Sequence, residues 1–228
     1  TSGSAGAHYL PALIEAERSG VPLIALTADR PPELHGCGAG QTIDQSGLFG
    51  PHVRFFAHLE APQEAALQTS WLRTLAARAL DAAEGSDPGP VHLNLPFRKP
   101  LWEPSEPTEA SPSPAPAARI LRGTARVDDD TVGALVAWLT AARRGVIVCG
   151  PESSGRLGPP VAALAGALGW PVLAEPTSGV RYGRHDLSAV ISSGDALLRD
   201  GAFARAHGPD FVLRLGQLPT SKPIADWM

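Results

Sequence analysis

Short apolar runs alternate along this chain with stretches of helical spacing, and that alternation confines it to an α/β layer architecture. The runs at 22–27, 53–59, 91–95, 146–150, 171–174 and 211–215 are rich in Val, Ile, Leu and Phe and too short for helices. They read as strands, and those at 22–27 and 146–150 read as buried strands of a parallel sheet. Between them, 4–19 carries Leu10, Leu13, Ile14 and Glu17 at helical spacing, closes on Gly20, and contains Pro11, which should bend or shorten the helix. Residues 63–84 and 159–169 read as further helices. The acids Asp128, Asp129 and Asp130 stand where a helix cap would place them, ahead of the apolar run 132–139. Three adjacent acids also suit a metal, but no further ligand pattern follows.

Residues 103–118 turn to Pro, Ser, Glu and Ala, a composition that favours solvated, extended backbone. This predicts a first domain over 1–102, a linker over 103–124 and a second domain over 125–228. The net charge of −4, from 19 Lys and Arg against 23 Asp and Glu, gives no general attraction to nucleic acid or an anionic membrane. Any anion must then be held locally. No apolar stretch is long enough to enter and span a bilayer. Cys37 and Cys149 lack neighbouring metal ligands, and with no disulfide framework the cytoplasm is the expected location.

Ligands of open α/β sheets bind beyond the carboxyl ends of strands, which singles out the loop 28–51 and the turn 216–223. Each carries a cation. Arg30 leaves its strand between Asp29 and the stiff pair Pro31 and Pro32, so its guanidinium is presented with little entropy left to lose. It either makes paired, charge-assisted bonds to a substrate carboxylate or an ion pair with Asp29 or Glu33. Gln41 follows a segment with glycines at 36, 38 and 40 whose spacing is not a dinucleotide fingerprint. Lys222, between Ser221 and Pro223, is an anion ligand or a solvated surface lysine. His92 and Asn94 alternate with Val91, Leu93 and Leu95 and read as satisfied structural groups. The histidines show no metal spacing, and no serine sits in a nucleophile elbow.

The run Leu26-Thr27-Ala28-Asp29-Arg30-Pro31-Pro32-Glu33-Leu34 and the run Cys37-Gly38-Ala39-Gly40-Gln41-Thr42-Ile43-Asp44-Gln45 resemble the signature of the 2-succinyl-5-enolpyruvyl-6-hydroxy-3-cyclohexene-1-carboxylate synthases. So do Thr1-Ser2-Gly3, the stretch Gly89-Pro90-Val91-His92-Leu93-Asn94-Leu95-Pro96-Phe97, and Arg214-Leu215-Gly216-Gln217-Leu218-Pro219-Thr220-Ser221-Lys222-Pro223. The resemblance implies the latter part of a pyrimidine-binding domain followed by most of a central, doubly wound parallel-sheet domain, as an internal fragment of a thiamine-diphosphate enzyme. It also implies a homo-oligomer with active sites between subunits. In that family the thiamine carbanion attacks 2-oxoglutarate, carbon dioxide leaves, and the succinyl carbanion adds to isochorismate during menaquinone biosynthesis.

The same resemblance places Arg30, Gln41 and Lys222 among the substrate ligands, and Ser2 and Gly3 in a turn near the cofactor's pyrimidine end. It implies no catalytic and no metal-binding residue in this stretch. The cofactor-activating glutamate would precede Thr1 and the segment that anchors the diphosphate through Mg²⁺ would follow Met228, so the chain alone is expected to be inactive. Gly40, where the family often has Asn, and Pro223, where some members have a second cation, are departures. The alternative reading is a nucleotide-binding or flavin-binding regulatory module, against which the glycine spacing after Cys149 speaks.

Overall fold

A computed structural model describes residues 1–62, 66–102, 118 and 120–228. Nearly all of the Pro-rich and Ser-rich segment, and the start of the expected helix at 63–84, lie outside the described residues. The chain forms two compact units, Thr1–Arg122 and Gly123–Met228.

The first unit opens with two short helices, α1 (Ser4–Ala7) and α2 (Leu10–Arg18), in place of one bent helix. Pro11 explains the break. It occupies the first turn of α2, where its missing N–H costs no hydrogen bond. Gly20, at φ 62°, ends α2 in the left-handed conformation that glycine adopts without strain. Strand β1 (Leu23–Asp29), strand β2 (Phe55–His58), helix α3 (Ala66–Glu84) and strand β3 (Pro90–Pro96) follow. All three strands are parallel, in the order β1-β3-β2, which places β3 at the centre. One face packs Ala25 against Leu13 and Phe49, and the other packs Val91 against Ala79 and Ala83 of α3. β1 is buried on one face only: Ile24 and Leu26 are 44% and 54% exposed. Burial on both faces, expected from its unbroken apolar run, is therefore not what the unit provides.

In the second unit α4 (Asp129–Ala141) begins at Asp128, whose carboxylate accepts the Thr131 N–H at 2.8 Å and its hydroxyl at 2.9 Å. That capping bond accounts for the first of the three acids without a metal. Strand β4 (Gly145–Cys149), helix α5 (Gly158–Leu168) and strand β5 (Val172–Ala174) come next. The two-residue strand β6 (Val190–Ile191), helices α6 (Gly194–Leu198) and α7 (Gly201–Ala206), strand β7 (Phe211–Leu215) and helix α8 (Lys222–Trp227) complete the unit. The sheet is parallel in the order β6-β5-β4-β7, so its winding reverses between β4 and β7. Period-two alternation gives each face its own core: Ile147 and Cys149 pack with α4 and α5, Val146 and Val148 with α6 to α8. Helices thus cover both faces. The Cys149 thiol, raised to about 11 by burial, is an inert member of this core. Among the described residues no helix is long and apolar enough to cross a membrane.

Gly145 and Gly166 make this packing testable. A β-carbon on Gly145 would overlap the buried Trp170 indole, whereas one on Gly166, inside α5, meets nothing within 4 Å. Gly145→Ala should cost about 1–3 kcal/mol, the range for overpacking a filled core. Gly166→Ala should be neutral or stabilise by up to about 1 kcal/mol. Equilibrium denaturation of the two variants should show these opposite signs.

Candidate functional site

The parallel register of the first sheet lines up Thr27, Asn94 and His58 in one row across β1, β3 and β2, near the strands' carboxyl ends. Thr27, Asn94, Asp29 and His92 are 0–4% exposed. Four polar residues buried this deeply must satisfy one another, because an unmatched group would keep its whole desolvation cost. Asn94 does most of this. Its Oδ1 accepts the Thr27 hydroxyl at 2.7 Å and the Gln45 Nε2 at 2.8 Å; its Nδ2 donates to Asp29 Oδ2 at 2.7 Å and meets His58 Nδ1 at 3.0 Å. Those four bonds exhaust the capacity of an amide.

Proton positions follow by elimination. Thr27 spends its one hydroxyl proton on Asn94, so its oxygen can only accept from His92 Nε2, 2.7 Å away. His92 then carries a proton on Nε2, and its Nδ1 has no partner among the described residues. Burial, together with the nearby His58, lowers its pKa from 6.5 to about 4. Asn94 is satisfied as expected, but His92 is satisfied on one nitrogen only.

Above this row sit the candidate ligands. Gln45, 1% exposed, donates to the Ala28 carbonyl at 3.0 Å and accepts the Gly3 N–H at 2.5 Å. Gly3 has φ 63° and ψ −148°, a region nearly reserved for glycine, and a β-carbon there would stand 2.9 Å from the Gln41 carbonyl oxygen. Gln41, itself at φ 61°, donates from Nε2 to the Ser2 carbonyl at 3.4 Å. Arg30 reaches Ser2 Oγ and Gln41 Oε1, both at 3.5 Å. The fold therefore brings Ser2, Gly3, Arg30 and Gln41 together.

The carboxylates flanking Arg30 are committed elsewhere. Glu33 forms a paired bridge to Arg98 at 2.7 and 3.0 Å, which holds the Glu33 carboxyl below its ordinary value. Asp29 takes the Asn94 amide, the Arg30 backbone N–H at 2.7 Å, and lies 3.5 Å from His35 Nε2. Neither predicted ion pair of Arg30 with Asp29 or Glu33 forms. Among the described residues its half-buried guanidinium makes two long contacts, both to neutral groups, leaving donors for a planar carboxylate.

Lys222 belongs to the second unit. Buried Glu175 accepts the Thr220 hydroxyl at 3.0 Å and the Ser221 N–H at 2.7 Å, and Ser221 donates to Asp195 at 2.6 Å while capping α8. This clamp fixes the first turn of α8. Lys222 Nζ pairs with both Asp226 oxygens, at 2.7 and 2.8 Å, and its side chain is 82% exposed. An exposed pair of this kind is worth little and yields readily to a competing anion. Pro223, the departure, stands in the first turn of α8 and adds no charge.

After β4, the Glu152 carboxylate accepts the Ser154 and Gly155 N–H groups at 2.7 and 3.2 Å, and a β-carbon on Gly150 would overlap the Gln217 carbonyl. A nucleotide phosphate at this switch point would find those two amides already taken. Gln45, Asn94, Thr27 and Glu175 are the residues that sequence reasoning did not assign to the site. Polar side chains within apolar strand runs were the available signal for Thr27 and Asn94.

No family model matches the chain. Over 236 aligned positions covering all of it, the chain is 45% identical to the 2-succinyl-5-enolpyruvyl-6-hydroxy-3-cyclohexene-1-carboxylate synthase of Geobacillus kaustophilus (strain HTA426), covering 40% of that protein. It is 44% identical to the synthase of the same name from Geobacillus thermodenitrificans (strain NG80-2), again along its entire length and across 39% of that protein. The Chloroflexus aurantiacus synthase is 45% identical over 98% of the chain and 38% of its own length. The whole chain is thus homologous to one stretch of these synthases, and spans about two fifths of the length of the curated relatives it matches.

His92 gives the site a pH signature. Its pKa is lower folded than unfolded, so the unfolded state binds the extra proton first. Its effect is absent above about pH 6.5 and grows as the pH falls, reaching a loss of about 3 kcal/mol near pH 4. His92→Gln should flatten the stability profile between pH 6.5 and 4, measured by urea denaturation; an unchanged slope would contradict the assignment.

Proposed function

We propose that this chain is the substrate-gripping part of a thiamine-diphosphate-dependent synthase that decarboxylates 2-oxoglutarate and joins the succinyl unit to isochorismate in menaquinone biosynthesis. Homology along the whole chain to synthases of that name supports the reading. The observation that carries it at the site is Arg30: a half-buried guanidinium whose side-chain partners, Ser2 and Gln41, are neutral and held at long range, at the carboxyl end of a parallel strand. Both proposed substrates are polyanions, and a carboxylate is what such a group binds best.

In this reading Arg30 orients a substrate carboxylate with two N–H donors, Gln41 adds an amide contact, and Ser2 a hydroxyl. Lys222 releases Asp226 to pair with a second carboxylate. Thiamine diphosphate, when bound in the complete enzyme, supplies the carbanion chemistry. The described residues do not fit as its seat: no three His, Cys, Asp or Glu side chains among them gather to hold Mg²⁺, and the Gly3 amide is already bonded to Gln45. We therefore assign the cofactor and its activating acid to the rest of the synthase, and expect the 228-residue chain alone to give no turnover. Assembly as a homo-oligomer belongs to the same proposal, and the uncovered apolar face of β1 supports it.

Splicing this chain into the Geobacillus kaustophilus synthase, in place of the homologous stretch, tests the function. The chimera should form product from 2-oxoglutarate and isochorismate. Arg30→Ala in it should lower kcat/KM for at least one of the two by about 100-fold, the worth of two charge-assisted bonds. Lys222→Ala should cost about 10-fold. An inert chimera, or one indifferent to Arg30→Ala, would contradict the reading.

A further inference from the structure

We infer that Gln45 is the positioning residue of this anion site: it ties the Ser2 and Gly3 turn to the buried amide of Asn94, and so sets where Ser2 and Gln41 stand beside Arg30. The inference rests on the substrate-binding role proposed for Arg30 and adds a residue that touches no substrate.

The three bonds of Gln45 run to three separate segments. Oε1 accepts the Gly3 N–H at 2.5 Å, while Nε2 donates to the Ala28 carbonyl at the end of β1 and to Asn94 Oδ1 in β3. Only a primary amide at this reach can do all three. Glutamate has the acceptor but no donors, and would set two oxygens against each other at Asn94 and Ala28. Asparagine is one methylene too short. The Gly3 bond matters most because the turn is otherwise lightly held. Its contacts to the site are the long ones, Arg30 Nη1 to Ser2 Oγ at 3.5 Å and Gln41 Nε2 to the Ser2 carbonyl at 3.4 Å. The Thr1 carbonyl accepts the Ala28 N–H at 2.8 Å, which lays the N-terminal residues along β1 but leaves the orientation of Ser2 to the next residue. Gly3 also lies so close to the Gln41 backbone that a shift of the turn must move Gln41. The amide of Asn94 cannot turn over to accommodate a change at Gln45, because its Nδ2 is held by Asp29 and His58.

The test uses the isotope-labelled 228-residue chain and 2-oxoglutarate as the probe. In Gln45→Met the Gly3 amide should exchange with solvent at least 10-fold faster, while the Leu26 and Leu93 amides inside the strands change less than 2-fold. The dissociation constant for 2-oxoglutarate, followed on the Arg30 Nε resonance, should weaken about 5-fold to 10-fold. Gln45→Glu should fail to restore it. In the unaltered chain, where folding is not at issue, 2-oxoglutarate should shift the Gly3 amide and the Gln45 side-chain amide together with Arg30 Nε. Retained Gly3 protection, or unchanged affinity despite a released Gly3, overturns the inference. If the unaltered chain shows no response to 2-oxoglutarate at Arg30 while Gly3 is released in the variant, the substrate reading fails instead, and Gln45 is only a structural tie.

Discussion

The four hydrogen bonds of the Asn94 side chain are what the first unit's site depends on. An amide in the central strand of a parallel sheet, with no access to water, is a liability unless both its oxygen and its nitrogen are fully used. Here the oxygen accepts from β1 and from the long loop, and the nitrogen donates to the end of β1 and to β2. Those partners come from segments far apart in sequence. Once they are satisfied, the end of β1, the loop and the N-terminal turn have little choice of position.

That arrangement has an electrostatic consequence. Asp29, the acid next to Arg30 in sequence, is drawn under the sheet end to serve Asn94, and Glu33 is drawn away by Arg98. Arg30 is left with a hydroxyl and an amide oxygen at long range. A cation so placed is stabilised modestly by its own protein and strongly by an incoming carboxylate, which is the asymmetry a binding site needs. The second unit works differently. Lys222 is fixed by a clamp of Glu175, Asp195 and Ser221 beneath it, and its charge is balanced by a local, exposed partner.

Much of the architecture was legible from the order of apolar runs. The strands at 22–27, 91–95, 146–150 and 211–215 appear within a residue or two of their expected bounds, because continuous β-branched and aliphatic runs bounded by Gly, Pro or polar residues admit few other readings. β6, α6, α7 and α8 were not legible: helices of five or six residues make fewer than two turns and a two-residue strand shows no repeated alternation, so only the caps of α7 and α8, Asp200 and Ser221, leave a mark. At the site, residue types pointed to Arg30, Gln41 and Lys222, but local sequence left Arg30 divided between substrate and loop acids. What keeps the loop acids off Arg30 is Arg98, 65 positions beyond Glu33, together with Asn94, and neither contact can be read from the loop itself.

The proposal for the first unit turns on Arg30 being kept off Asp29 and Glu33, with donors left for a carboxylate. A crystal structure of the chain soaked with 2-oxoglutarate addresses it directly. One carboxylate of the ligand should lie on the Arg30 guanidinium, flanked by Ser2 and Gln41, with Asp29 still on Asn94 and Glu33 still on Arg98. A guanidinium turned onto Asp29 or Glu33, with the ligand bound elsewhere or not at all, would contradict it.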